Sequence, residues 1–279
     1  MNSNNQAMDK VKTVIDAILK IFLILVMAFP FFWMISTALQ TLKETLQVPP
    51  TLWPASPQFS NFAEVFKTIP VDIYLKNSLI VCTSVVLLQF LIIVPCAYSL
   101  AKYDYKAKPV IFGLVLLGQM IPMQLTFLPV YLMFSKAGLI NTYASLIVPF
   151  ISNPFGIFML RQYFMQVPTE IIEAAKLDNA SDFKIMFKIM VPMVKSALIT
   201  IGLLSFISNW NNYFWALIMT NSDAIRTLPI GITLLKSSET LDRWNIIMAG
   251  NLLLVLPMLV LYIFASKKIR NAFVYSGIK

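Results

Sequence analysis

The sequence predicts an all-α, polytopic membrane protein with six transmembrane helices. Of its 279 residues 58% are hydrophobic and only 13% charged, where a soluble domain carries about 25% charged residues. Mean hydropathy is +0.74. Apolar runs of span length, about 20 residues each, alternate with short charged or Pro-rich connections.

The first span is expected over residues 14–37, with Pro30 and the aromatic group Phe29, Phe31, Phe32 and Trp33. It is too long for a signal-peptide core and reads as a retained anchor. A connection rich in Pro and Trp follows to Asp72. Further spans are expected over 73–101, 109–134, 142–160, 192–219 and 245–265. The organisation is then a polar N-terminus (1–13), one membrane domain (14–265) with a charged loop at 161–191, and a tail (266–279). Pro122, Pro149 and Pro154 lie inside predicted spans, where a proline permits a kink.

The net charge of +9 is divided by loop, so it reports topology and not nucleic-acid binding. Fifteen basic residues fall on the side that holds both termini, the 102–108 loop and the 161–191 loop; seven fall on the other. The positive-inside rule places the first set in the cytoplasm. His is absent, so no Cys/His metal site is available. Cys82 and Cys96 stand fourteen residues apart in one apolar run, roughly 21 Å along a helix, too far to pair.

The 161–191 loop is the most informative segment. A helix is expected from Pro168 to about Asp178, with Pro168 in its first turn and Glu170 at the positive end of the dipole. Asn179 stands where a helix C-cap takes a left-handed residue, and Ser181 can N-cap a second helix. Phe183, Met186, Phe187 and Met190 then recur at the spacing of one helical face, and Pro192 opens the fifth span. Small residues (Ala174, Ala175, Ala180) admit a close partner, and Glu173 and Asp178 offer carboxylates to a basic one.

Glu173-Ala174-Ala175, followed by Asp178-Asn179-Ala180 and by Pro192, resembles the EAA loop of the permease subunits of ABC importers. The family has Gly where this chain has Asn179, and Asn tolerates positive φ well enough to keep the corner. Other similarities run in order along the chain: Asn61-Phe62, Asn77-Ser78, the 97–102 segment, Trp210-Asn211 and the tail with Gly277. They are similar to the second permease subunit of maltose-type and glycerol-phosphate-type importers. The resemblance implies the type I ABC importer permease fold, with the 168–179 segment as a cytoplasmic coupling helix. It implies a second, homologous permease chain as heterodimer partner, two ATPase subunits and an extracytoplasmic solute-binding protein, all in a bacterial cytoplasmic membrane. It also implies that Gly277 and Lys279 reach the ATPase. No phosphate-binding loop motif occurs in the sequence. This chain is therefore expected to be no enzyme and to bind no cofactor, with ATP and Mg on the partner ATPase.

The polar residues inside the predicted spans are neutral amides, and none of the spans carries a central charge. An ion-coupled secondary carrier would place charges near the midplane, so the energy is expected to enter through the 161–191 loop. Amides donate to and accept from hydroxyls, and aromatic faces stack on sugar rings. Gln124, Asn153, Asn209, Trp210 and Asn212 are thus the candidates for a path taking a sugar or oligosaccharide. A phosphorylated polyol such as glycerol phosphate would want a Lys or Arg in that path, and this chain offers none mid-span.

Overall fold

The structure, a computed structural model, describes residues 2–236 and 242–274. Among the described residues there is no strand. In chain order the helices are α1 (Asn2–Ala38), α2 (Leu42–Thr45), α3 (Ser60–Thr68), α4 (Val71–Lys102), α5 (Lys108–Met120), α6 (Met123–Lys136), α7 (Tyr143–Ile147), α8 (Pro154–Gln166) and α9 (Thr169–Leu177). They continue with α10 (Asp182–Lys184), a π-helical turn at Ile185–Met190, α11 (Val191–Met193), α12 (Lys195–Trp210), α13 (Tyr213–Met219), α14 (Leu228–Thr233) and α15 (Trp244–Val274).

Three helices have continuous stretches long and apolar enough to cross a bilayer: Lys12–Ala38, Val71–Lys102 and Trp244–Phe264. They correspond to the first, second and sixth predicted spans. The third, fourth and fifth predicted spans are each broken. Lys108–Met120 and Met123–Lys136 meet at 98°, Tyr143–Phe150 and Pro154–Gln166 at 42°, and Asp182–Met193 and Lys195–Trp210 at 80°. Proline explains the first two breaks. Pro122 is the N-cap of α6, Pro149 lies in a 3-10 turn (Val148–Phe150), and Pro154 opens α8. A residue without an N–H is best placed where a helix starts, so these prolines end one helix and begin the next instead of kinking a continuous one. The helices that do contain an internal proline are α1, α4, α6 and α15, at Pro30, Pro95, Pro129 and Pro257.

Two other predicted boundaries move. The fourth span ends at Gln166, not at residue 160, and the fifth resumes at Lys195, beyond Val194, not at Pro192. It then stops again at Asn211-Asn212 before α13.

The chain divides into two compact units. One comprises Met1–Ile69 and Ile232–Leu256, the other Pro70–Gly231 and Pro257–Lys279. In the first, Asn61 is the tie: its Nδ2 donates to the carbonyls of Ala38 (2.8 Å) and Gln40 (2.9 Å), and its Oδ1 accepts from Asn245 Nδ2 (3.0 Å). In the second, Asn77 donates to Ala224 O and Arg226 O (2.9 Å each) and accepts from the Tyr143 hydroxyl at 2.6 Å. Ser78 Oγ accepts from Leu228 N at 2.8 Å. Buried amides thus satisfy loop carbonyls that no helix ladder reaches.

The core of the second unit joins α4, α8, α9, the π turn and α12. It includes Ile93, Leu100, Leu160, Phe164, Ile172, Ala175, Ile185, Met190 and Ile201. Gly156 makes part of this possible. A Cβ there would lie 2.8 Å from Ile93 Cδ1 and 3.2 Å from Ile201 Cγ2, so α8 approaches α4 and α12 closely only with a bare backbone.

Candidate functional site

Two places in the second unit concentrate polar chemistry. The first is a cavity of about 400 Å3 where α4, the break before α8 and α12 meet. Its polar wall consists of Gln89, Ser152, Asn153, Ser205, Ser208 and Asn209, with Phe150 and Phe155 as aromatic faces and Ile201 and Leu204 behind them. None of the lining side chains is charged.

Each polar group is held by a local reason. Asn153 N-caps α8, its Oδ1 accepting from Gly156 N at 2.9 Å, and this leaves its two N–H donors outside the cap. Asn209 Nδ2 donates to Ser205 O at 2.8 Å and Ser205 Oγ at 3.4 Å, the bonding to the preceding turn that a polar side chain makes inside an apolar helix. Gln89 is 3% exposed. Its Nε2 donates to Phe150 O at 2.6 Å, whereas Oε1 is buried without a partner. A buried carbonyl oxygen left this way costs about 1–3 kcal/mol and is met when a donor arrives.

The predicted path residues separate here. Asn153 and Asn209 come together in the cavity. Asn212 lines a small gap beside it with Asn209, and N-caps α13 by accepting from Trp215 N at 3.3 Å. Trp210 is 1% exposed and stacks on Phe206 at 5.9 Å, so its ring belongs to the core. Trp215 is equally buried and donates from Nε1 to Ser145 O at 2.8 Å. The Trp210 ring is thus turned away from the sugar-stacking role its position suggested. Gln124 lies exposed on α6 and is not among the lining residues. Sequence reasoning missed the serines, although Ser205, Ser208 and Asn209 at i, i+3, i+4 form a polar stripe in an otherwise apolar helix.

The second place is the corner after α8. Pro168 is the N-cap of α9 and so stands just outside the first turn where it was expected. Asn179 takes φ 55°, the left-handed conformation expected of it. Ala180 N donates to Ala175 O (3.0 Å) and Asn179 N to Lys176 O (3.0 Å), closing the helix end. Ser181 caps α10, accepting from Lys184 N at 3.4 Å.

The expected face of Phe183, Met186, Phe187 and Met190 forms in part: Met186 and Met190 are buried, Phe187 packs against the same cluster, and Phe183 stays outside it. The segment turns π-helical, which puts Ile185 and Met190, five apart, into the core with Met186. Phe183 is 70% exposed, its ring centroid 4.6 Å from that of Phe187. The alanines also divide. Ala175 and Ile172 are buried, while Glu173, Ala174, Asp178 and, at 85% exposure, Leu177 face outward. Pro192 is exposed in α11.

The corner is fastened to α4 and α8. Lys102 Nζ donates to Val167 O at 2.6 Å, and Arg161 Nε to Leu100 O at 3.1 Å with its guanidinium 4.1 Å over the Phe112 ring. Burial, and a hydrogen bond to Asp182, push the Tyr103 hydroxyl up to about 12, so this phenol stays neutral and donates to the corner. Gly277 and Lys279 lie outside the described residues.

Comparison with known proteins adds the context. Residues 93–269 match the family described as "Binding-protein-dependent transport system inner membrane component". The chain is 30% identical to the arabinooligosaccharides transport system permease protein AraQ of Halalkalibacterium halodurans, over 92% of this chain and 93% of that one. It is 32% identical to the inner membrane ABC transporter permease protein YcjP of Escherichia coli, over 94% of each. The sn-glycerol-3-phosphate transport system permease protein UgpE of Brucella abortus is 25% identical, over 92% of this chain and 94% of that one. Among solved structures, a chain of a bacterial ABC transporter involved in the import of the acidic polysaccharide alginate superposes with a TM-score of 0.83 at 22% identity, over 93% of this chain and 96% of that one.

Proposed function

Because the chain belongs to the family of inner-membrane components of binding-protein-dependent transport systems, we propose that it is the permease subunit of an ATP-driven importer for a neutral sugar or oligosaccharide. It forms half of the path, and a homologous second permease supplies the other half. Two ATPase subunits beneath them carry ATP and Mg, so the chemistry of hydrolysis is on the partners and this chain is no enzyme. A solute-binding protein delivers the sugar from outside. The termini and the corner face the cytoplasm, as the distribution of Lys and Arg supports.

The observation that carries this reading is the corner. A nine-residue helix anchored by Ile172 and Ala175 presents Glu173, Ala174 and Leu177 outward, on a segment rich in charge. An apolar residue as exposed as Leu177 beside a carboxylate suits a groove in another protein better than water. We assign Glu173, Ala174, Leu177, Asp178 and the Asn179–Ala180 turn to that contact, with Ala175 supporting it from beneath and Pro192 ending the segment. When the ATPases close on ATP, two such corners are drawn together and the permeases tip outward; hydrolysis resets them.

Relatives transport arabinooligosaccharides in one case and sn-glycerol 3-phosphate in another. The cavity supports the first of these classes for the path in this chain. Gln89, Asn153 and Asn209 offer amides to hydroxyls, and a phosphate would be buried there against no cation, a cost of several kcal/mol. The test is to purify a tagged copy from its native membrane and reconstitute it. Co-purification of an ATPase, a second permease and a sugar-binding protein, with ATP-dependent sugar uptake, is the expected result. Uptake by this chain alone without ATP would overturn it.

A further inference from the structure

We infer that the first compact unit holds a saccharide site of its own, distinct from the Gln89–Asn153–Asn209 cavity, in the cavity framed by Trp33 and Trp244. The cavity measures about 220 Å3 and lies among the end of α1, the loop carrying α2, and the start of α15. It has room for about seven waters at ~30 Å3 each, the scale of a single sugar ring. The inference rests on the importer reading for its ligand class and for its position on the extracytoplasmic side.

The polar groups are arranged for a hydroxylated ligand. Thr37 is 5% exposed and its Oγ1 is buried with no partner, although it lines the cavity. Thr45 and Thr51 also line it, and both have spent their hydroxyl hydrogens, on Leu42 O (2.8 Å) and Gln47 Oε1 (2.9 Å). Each keeps lone pairs. Glu44 accepts from Thr41 N (2.8 Å), Thr41 Oγ1 (2.9 Å) and Ala55 N (3.0 Å). These bonds hold its carboxyl below the usual carboxylate range, ionised and fixed in place. The wall is therefore rich in acceptors, with one hydroxyl at Thr37 that needs a partner of its own.

That combination favours sugar hydroxyls, which both donate and accept. An anion would face Glu44 and acceptor lone pairs. A quaternary ammonium is attracted by the two indoles and by the Glu44 carboxylate, but it has no hydrogen-bonding group to offer the buried Thr37 hydroxyl, which a sugar satisfies. Trp33 is half-buried and Trp244 is 41% exposed, so flat apolar faces reach the ligand's C–H side.

The experiment uses the complete transporter in nanodiscs without its binding protein, probed by saturation-transfer NMR with maltotriose, arabinotriose and phosphocholine. Thr37→Val and Trp244→Phe are each expected to weaken saccharide binding about three- to tenfold. In proteoliposomes they raise KM for import while leaving kcat unchanged. Two conservative variants guard against a folding defect, and partner retention on purification checks it. Asn209→Leu, in the other cavity, is expected to lose import yet keep this signal. If a trisaccharide is imported but both variants bind it like the parent chain, or if Asn209→Leu abolishes the signal, this site is refuted while the importer stands. Displacement of the saccharide by phosphocholine refutes it in favour of a lipid headgroup. If neither trisaccharide is imported or bound, the neutral-sugar reading fails and this site with it.

Discussion

Asn179 is the most direct handle on how the corner works. At φ 55° a residue with a Cβ pays roughly 1–2 kcal/mol, Gly pays almost nothing, and Asn sits between them. Replacing Asn179 by Gly relieves that strain but loosens the unfolded chain by about 0.4–1 kcal/mol, so the two effects nearly cancel. Valine adds branching at Cβ and belongs at the top of the range. The corner then either bears the strain or releases the bonds from Ala180 N to Ala175 O and Asn179 N to Lys176 O, worth about 1 kcal/mol each. A helix of nine residues has little else to hold its last turn, and that turn carries Leu177 and Asp178. A cost near 1.4 kcal/mol is a tenfold change in the population of the formed corner. The assay is sugar imported per ATP hydrolysed in proteoliposomes, with ATPase retention on purification. We expect Asn179→Gly within twofold of the parent chain, and Asn179→Val reduced about five- to tenfold with an unchanged melting temperature. Equal coupling in the two variants refutes the geometry.

Other expectations rest on the same kinds of contact. Glu173→Lys, on the exposed face of α9, should abolish ATP-coupled import while the membrane helices still fold; undiminished import by that variant removes Glu173 from the interface. A Cβ at Gly231 would overlap the Tyr74 ring, which is 1% exposed and pinned by its hydroxyl to Asp223 at 2.7 Å, so Gly231→Ala should destabilise by about 1–3 kcal/mol in thermal unfolding. Adding Tyr74→Leu should recover part of that loss. Asn209→Asp introduces a carboxylate into a cavity without a cation and should cut neutral-sugar import at least tenfold at pH 7, measured as initial uptake. The Tyr74 hydroxyl and Arg226 hold Asp223 below the usual carboxylate range. Its stabilising effect is therefore complete at pH 5–8 and lost only as the pH falls beneath about 4, which melting followed against pH would detect.

Much of this was legible because the bilayer imposes length and hydropathy. The continuous helices α1, α4 and α15 follow directly from apolar runs, and Asn179 was readable from its place after an Ala-rich helix. The breaks at 98° and 80° were not, because hydropathy sums over a bend as readily as over a straight rod. For the 98° break the proline position held the missing information, since Pro122 is the N-cap of α6; at the 42° break Asn153-Pro154 is likewise an N-cap and first turn, which marks the start of a helix and not a kink. The π turn was hidden for another reason. Its sequence, Ile-Met-Phe-Lys-Ile-Met, fits an α-helical face equally well, and only packing against Leu160, Phe164 and Val194 selects the pairing five apart. Trp210 shows the limit at the site. An aromatic beside three Asn residues looks like a sugar platform, but which way it points depends on where α12 stops.

Several amides among the described residues are spent on structure. Asn77 engages two carbonyls and a hydroxyl, Asn61 does the same in its own unit with two carbonyls and an amide, and Asn212 caps a helix. In the cavity of the second unit satisfaction is incomplete: Gln89 keeps a buried oxygen with no donor, beside Asn153 and Asn209 whose bonds use only part of their capacity. The corner is physically continuous with that cavity. Ile172 and Ala175 beneath α9 belong to the same packed cluster as Ile201, which lines the cavity wall, with Ile185, Met190 and Phe164 between them. Close-packed side chains transmit displacement because they have no void to absorb it. A pull on α9 is therefore met at α12, where Ser205, Ser208 and Asn209 hold the polar wall. No charge lines the cavity, so that packed connection is the route the proposed coupling requires.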